Sequence, residues 1–271
     1  MLLYNADDMP KEFKIYCRLT KMLILSGLEY KGWWMMFIYV AFSLITDPIA
    51  VVLMFSRFGG IGEWSMERIL LVYVLAATSY GFAKIICVGF EDFPWEMIRS
   101  GELDRFLLRP CSLFTQIIGS RFRPHRIPWA ITGIIALIWL SSRLNITYSL
   151  FNAAILIFAL FGGFLTYTGV FIMTSGISFF SIKGLDWIFI FTSNSRQVTR
   201  CPVDYMPKIL WATFTFLMPM LVISYYPASL ACGWGEPAFT GYLALPVGFA
   251  FLSFSLIIWK IGLRHYKSTG S

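Results

Sequence analysis

The amino-acid sequence predicts an all-α integral membrane protein with six transmembrane helices. Three observations lead to that fold class. Of 271 residues, 58% are hydrophobic, 18% aromatic and only 14% charged, whereas a soluble domain carries about 25% charged residues. Long apolar stretches recur at about residues 33–55, 69–88, 127–141, 150–180, 209–226 and 243–263, and about 20 apolar residues suffice to cross the hydrocarbon of a bilayer. The basic residues alternate sides between those stretches. Nineteen Lys and Arg fall before the first span, around 84–126, between spans four and five, or near the C-terminus; only Arg57, Arg68 and Arg143 fall on the opposite side. By the positive-inside rule both termini and the 89–126 loop are expected to be cytoplasmic. The net charge of +7 follows from this bias, with help from anionic lipid at the inner face, and calls for no nucleic-acid partner.

The expected organisation is an N-terminal cytoplasmic segment, residues 1–32, followed by a transmembrane domain, residues 33–271. Asp7, Asp8 and Glu12 precede any long apolar run, the wrong pattern for a cleavable signal peptide. Phe13, Tyr16, Cys17, Thr20 and Ile24 share one helical face, with Lys14, Arg18 and Lys21 elsewhere around the wheel and Pro10 suited to a first turn. This pattern fits an amphipathic helix on the inner membrane surface or a plain cytoplasmic extension of the first span.

Within the first span, Asp47 beside Pro48 is an intramembrane carboxylate, hence a candidate substrate-path residue. The alternative is a protonated acid, or one bonded to carbonyls freed by the proline. After the second span, Ile98 to Pro110 reads IRSGELDRFLLRP. Gly101 supplies a chain reversal. An apolar stripe follows at Leu103, Phe106, Leu107 and Pro110, interleaved with Glu102, Asp104, Arg105 and Arg109, as in a short amphipathic helix at a boundary. A helix ending at 93–99 and another from Glu102 to Arg109 would make an elbow, with Pro110 disfavouring continuation. That elbow either transmits force or passively anchors the loop to lipid. The third span is short; it either borrows residues from Ile117 onward or meets a locally thinned bilayer. The tract RFRPHR, Arg121 to Arg126, has no evident role.

Asn145-Ile146-Thr147 is a glycosylation sequon on the expected outer side, best read as chance outside a eukaryote. Gly162, Thr166, Gly169 and Gly176 fall on one face of the fourth span, where small residues permit close helix packing, within the chain or across a dimer. In the fifth span Pro219 is an expected kink, and Tyr225 and Tyr226 belong to an aromatic belt. Pro219, Tyr225 and Tyr226 are further candidates for the substrate path. Ser224 to Pro237 is too short to span twice and reads as a short outer re-entrant hairpin or an ordinary surface loop.

Catalytic signatures are missing. There is no HExxH, no GxSxG and no GxxxxGK[ST], which argues against a zinc protease, a serine hydrolase or an ATPase of the P-loop kind. No metal cluster and no cofactor bound by this chain is expected. The five cysteines form no CxxC pair, and no disulfide framework is expected.

The 98–110 run resembles the permease subunits of ABC-2-type exporters, most closely a bacterial branch with an I-R-x-G-x-L-D-x-x-L-x-R-P signature. The matching residues are Ile98, Arg99, Gly101, Leu103, Asp104, Leu107, Arg109 and Pro110. Pro219 followed by Tyr225-Tyr226-Pro227-Ala228 resembles that branch's later element. The resemblance implies a permease paired with a second permease, a heterodimer more than a homodimer, resting on two cytoplasmic ATPase subunits that use ATP and Mg. The segment Glu96–Pro110 would then contain the coupling helix: Glu96, Arg99, Gly101, Glu102, Leu103, Asp104, Arg105, Phe106, Leu107, Arg109 and Pro110. Asp47-Pro48 and RFRPHR are departures from the pattern. A stand-alone secondary transporter would want inverted repeats, which the two halves do not display. A membrane transferase would have only Glu91, Asp92 and Glu96 near Lys84 to work with.

Overall fold

The computed structural model describes residues 9–29, 32–58, 62, 64–144, 146, 150–180, 195–235 and 237–266. Among them the fold is all helical. The principal helices are α1 (Met9–Glu29), α2 (Gly32–Phe58), α3 (Met66–Ile86), α4 (Val88–Phe93), α5 (Leu103–Leu107), α6 (Leu113–Ser120), α7 (Ile127–Arg143) and α8 (Leu150–Ser178). They are followed by α9 (Lys208–Ala212), α10 (Met220–Ile223), α11 (Tyr225–Cys232), α12 (Ala238–Gly241) and α13 (Ala244–His265). Among the described residues three helices, α3, α8 and α13, are long and apolar enough to cross a membrane; a broken pair, Lys208–Leu217 and Met220–Cys232, bent by 70°, could add a fourth. The expected six is therefore a larger number than the helices themselves display. The first expected span forms the 27-residue α2 with Pro48 inside; Asp47 lies on it, and its side chain is outside the described residues. The third, α7, is 17 residues long. It borrows nothing from Ile117, which belongs to the separate α6.

Helix α3 is the centre of the bundle: 83% of its apolar window is buried, against 22% for α13. Its small and hydroxylated residues let two neighbours, α7 and α8, approach. Gly133 of α7 sits against Thr78, Gly81 against the Trp129 ring, and Gly163 of α8 against Ser79. The hydroxyls are satisfied locally, Thr78 donating to Val74 O at 2.6 Å and Ser79 to Leu75 O at 2.9 Å. Backbone donors and acceptors with no water available must be paired within the protein, and such i−4 bonds do this without breaking the helix.

The closest helix pair is α8 with α13. A Cβ at Gly162 would meet Ala244 O at 2.3 Å, one at Gly169 Phe251 and Ser255, and one at Gly176 Ile258 and Trp259. Reciprocally, a Cβ added at Gly248 would run into Gly162 O, and one at Gly262 into Gly176 O. The contacts advance together, so the two helices run parallel. Gly162, Gly169 and Gly176 on one helix and Gly248, Ser255 and Gly262 on the other each repeat every seven residues, the period of a left-handed supercoil. The small-residue face of the fourth span thus packs within the chain.

Parallel α8 and α13 require the chain to return between them. The Arg196 guanidinium stacks on Tyr80 and Trp129, Arg200 on Tyr73, and Asp204 accepts a 2.7 Å bond from Trp64 Nε1. Residues 196–204 therefore climb antiparallel to α3, from the end carrying the basic tract to the end carrying Trp64. This corrects two expectations. Arg196 and Arg200 lie along the bundle, because tyrosine and tryptophan faces accommodate guanidinium. The stretch 209–226 is not one helix. After a wide turn over Thr213–Leu217 it breaks at Met218-Pro219, where backbone φ, ψ of −127°, 92° and −73°, 52° leave the helical region. The broken pair starts just after Tyr205, whose hydroxyl neighbours Gly62, and ends by Trp64, which contacts Tyr225 and Trp234. Its middle reaches inward, where Ile223 meets Gly163. This is the path of a loop that dips into the bundle and comes back. The expected hairpin segment is helical: α11 is closed by Gly233 at φ 68°, and Gly241 of α12 folds against Leu230.

Candidate functional site: the elbow between α3 and α7

The elbow is built by three successive interruptions of helix. Cys87 leaves helical geometry at φ −109°, ψ 9°. Pro94 opens a wide turn over Pro94–Ile98, closed by Arg99 N–H donating to Pro94 O at 3.2 Å; such turns mark functional positions in helices. Gly101 then takes φ +74° with nothing near its absent Cβ, so the conformation and not crowding demands glycine. The reversal expected at Gly101 is present. The helix after it spans Leu103–Leu107, shorter than Glu102–Arg109, with one further turn closed by Arg109 N–H to Phe106 O at 3.3 Å.

The stripe divides in two. Leu103 is fully buried and Phe106 half-buried against the core. Leu107 and Pro110, expected on the same face, are exposed. Arg109 lays its guanidinium over the Phe106 ring, 4.9 Å from the centroid. Asp104 accepts a hydrogen bond from the Tyr266 hydroxyl at 3.1 Å, joining the elbow to the end of α13. Burial and the neighbouring Asp104 push the Tyr266 phenol above its ordinary range. Gln116, buried on α6, donates from Nε2 to Phe106 O and Cys111 O, both at 3.0 Å. The sequence carried no sign of Gln116's role, since its partners are main-chain carbonyls.

Three of the acids are held in ion pairs. Glu91 pairs with Lys84, Asp92 with Arg123 and Glu96 with Arg121. The RFRPHR tract thereby acquires a role as counter-charge that fastens the elbow to the end of α3, where Arg123 N–H also donates to Ile85 O at 3.1 Å. Below the elbow, Phe90, Phe93, Phe179 and Trp259 form edge and tilted contacts with centroids 4.9 to 5.4 Å apart, tying α4, α8 and α13 together. What remains outside is basic and apolar: Arg99, Arg105, Leu107, Arg109 and Pro110 are exposed, and Leu108 is 86% exposed. Glu102 is partly exposed.

The other candidates lie elsewhere. Tyr225 is buried among Trp64, Trp234 and Tyr226 at the far end, and Pro219 sits at the break in the bent pair. Neither is near the elbow. Among the described residues no group of His, Cys, Asp and Glu is arranged to hold a metal ion. On α1, Tyr16 and Leu19 approach Gly119 of α6, and Thr20 and Ile24 share that half-buried face. Cys17, expected among them, points outward with Arg18 and Lys21. Lys183 and the sequon residues Asn145 and Thr147 lie outside the described residues.

Comparison with curated proteins and with solved structures gave no match. A family model described as "ABC-2 family transporter protein" matches residues 37–270, which include α3 to α13 and the whole elbow. Over that length the match settles membership, and the chain belongs to the ABC-2 family of transporter membrane proteins.

Proposed function

We propose that this chain is the permease subunit of an ATP-driven exporter, non-catalytic itself, and that the elbow is where ATPase motion enters the membrane domain. The observation that carries the reading is the sorting of charge. Three carboxylates are paired with Lys84, Arg121 and Arg123, Glu91 in the interior, and three arginines with two leucines and a proline are exposed. An outward face of this kind complements an acidic, partly apolar groove, while Leu103, Gln116 and Tyr266 tie its inner side to the bundle. A displaced elbow would carry α8 and α13 with it.

In this reading α2, α3, α7, α8, one return between the parallel α8 and α13, and α13 make six crossings, with both termini on the basic, cytoplasmic side. The 208–232 segment is the outer re-entrant element. Two permeases, different chains more than two copies, enclose the path, and two soluble ATPases supply energy with ATP and Mg. The test is affinity purification from native membrane. Wild type is expected to bring down a soluble ATPase, and the quadruple variant R99E/R105E/R109E/L108S to lose it while still inserting and folding. Full transport by the purified chain alone, or undiminished ATPase capture by the variant, would overturn the assignment.

A further inference from the structure

A cavity of about 280 Å³ opens between α1, the start of α2 and the basic tract. Its walls have two characters. Leu23 and Met36 supply apolar surface, and Arg121, Arg123 and His125 supply nitrogen. We propose that this cleft binds one acidic phospholipid of the leaflet on which α1 lies, the phosphate on Arg121 and Arg123 and an acyl chain along Leu23 and Met36.

Each arginine has one carboxylate partner at one terminal nitrogen, Glu96 for Arg121 and Asp92 for Arg123, with side chains 30% and 31% exposed. A guanidinium has five N–H donors, so neither pairing exhausts its group, and bidentate capture of phosphate suits the geometry. The local charge is positive. Among the described residues, Lys84, Arg121, Arg123 and Arg126 face Glu91, Asp92 and Glu96 in this cluster. His125 registers that field: burial, then Arg126 and Arg123, push its imidazole down to about 4. It is neutral at physiological pH and can donate its one ring N–H to a phosphate oxygen. The apolar side is continuous with exposed surface, since Met36 is half exposed and Met35 and Tyr39 beside it on α2 are more so. On α1, the exposed Met22 and Leu25 accompany Arg18 and Lys21, the composition of a helix lying in a headgroup layer. A soluble anion would use the arginines and have no use for Leu23, Met36 or the apolar run; a lipid uses both. This proposal needs only the membrane location and not the ATPase coupling.

The test is lipid retention by the purified chain in nanodiscs of phosphatidylcholine containing a minority of phosphatidylglycerol, read by mass spectrometry of co-purified lipid. Phosphatidylglycerol is expected to be enriched, each arginine contributing about fivefold. R121Q/R123Q removes the headgroup contacts but also two ion pairs, so S26W serves as the second variant: it fills the cleft and leaves the pairs alone. Both are expected to lose the enrichment, S26W with an unchanged melting temperature in pure phosphatidylcholine. No enrichment in wild type, or enrichment retained by folded S26W, overturns the proposal. Displacement of the lipid by millimolar inorganic phosphate also overturns it, in favour of a free-anion site.

Discussion

The α8–α13 seam runs the length of α13 and meets the elbow at one end, and the two are held together by opposite means. Along the seam, backbone meets backbone: Gly248 lies on Gly162 O and Gly262 on Gly176 O, with no charge involved. At the elbow, side chain meets side chain through three ion pairs, one carboxylate–tyrosine bond and an aromatic cluster. Backbone packing in lipid is short-range and tolerates almost no added volume. Ion pairs act over longer distances, reorganise, and weaken with salt where water reaches them. The difference assigns the seam to rigidity and the elbow to motion. An element that conveys force into a bundle needs a stiff load and an adjustable attachment.

The largest predicted effect breaks the elbow at its driest point. Lys84 and Glu91 are 8% and 5% exposed, and removing one partner of such a pair leaves a buried, uncompensated charge. Glu91→Leu is therefore expected to cost about 3 to 5 kcal/mol, read as a large fall in melting temperature in detergent. The double variant K84M/E91L is expected to recover most of it, because two apolar groups of similar volume leave no orphan. If the double variant is as unstable as the single, the pair contributes something other than charge balance.

Next comes the seam. Gly248→Ala places a methyl group 2.5 Å from Gly162 O; the contact is main chain on main chain, so no side chain can swing away. Overpacking of this kind costs about 1 to 3 kcal/mol. The loss is expected to be independent of salt, whereas weakening at Arg121–Glu96 and Arg123–Asp92, both partly exposed, is small and salt-dependent. A salt-sensitive Gly248 variant would erase the distinction between the two regions.

These two regions were also unequally legible in the sequence. The seven-residue spacing of Gly162, Gly169 and Gly176 announced a packing face. Its partner, Gly248, Ser255 and Gly262, repeats at the same interval, but periodicity names a face and not its mate. At the elbow, Gly101 and the order of apolar and charged residues predicted the reversal and the short helix. They did not predict which charges turn inward, because ion pairs such as Asp92–Arg123 link positions 31 apart. The apolar run 209–226 departs from a single helix for a physical reason. Hydropathy averages over a break, and the break at Met218-Pro219 is a matter of two dihedral pairs. Counting Arg196 and Arg200 as loop charges assumed that guanidinium needs water, while here aromatic rings receive it. Removing both from the count leaves the charge imbalance with the same sign.

The smallest predicted effect on stability tests the joint between the two regions. Tyr266 follows α13 and donates to Asp104 of the elbow at 3.1 Å, with its ring on Phe179 at the end of α8. Tyr266→Phe keeps the ring and deletes one partly exposed hydrogen bond, worth about 1 kcal/mol. Melting temperature is thus expected to shift by only a few degrees. If the seam is the load and the elbow the attachment, this variant detaches one from the other without unfolding either. ATP hydrolysis by the assembled transporter should then continue while transport per ATP falls. Asp104→Asn, which retains an acceptor oxygen, should fall between Tyr266→Phe and wild type. Equal transport per ATP in all three proteins would mean that motion reaches the bundle through Leu103 and the aromatic cluster alone.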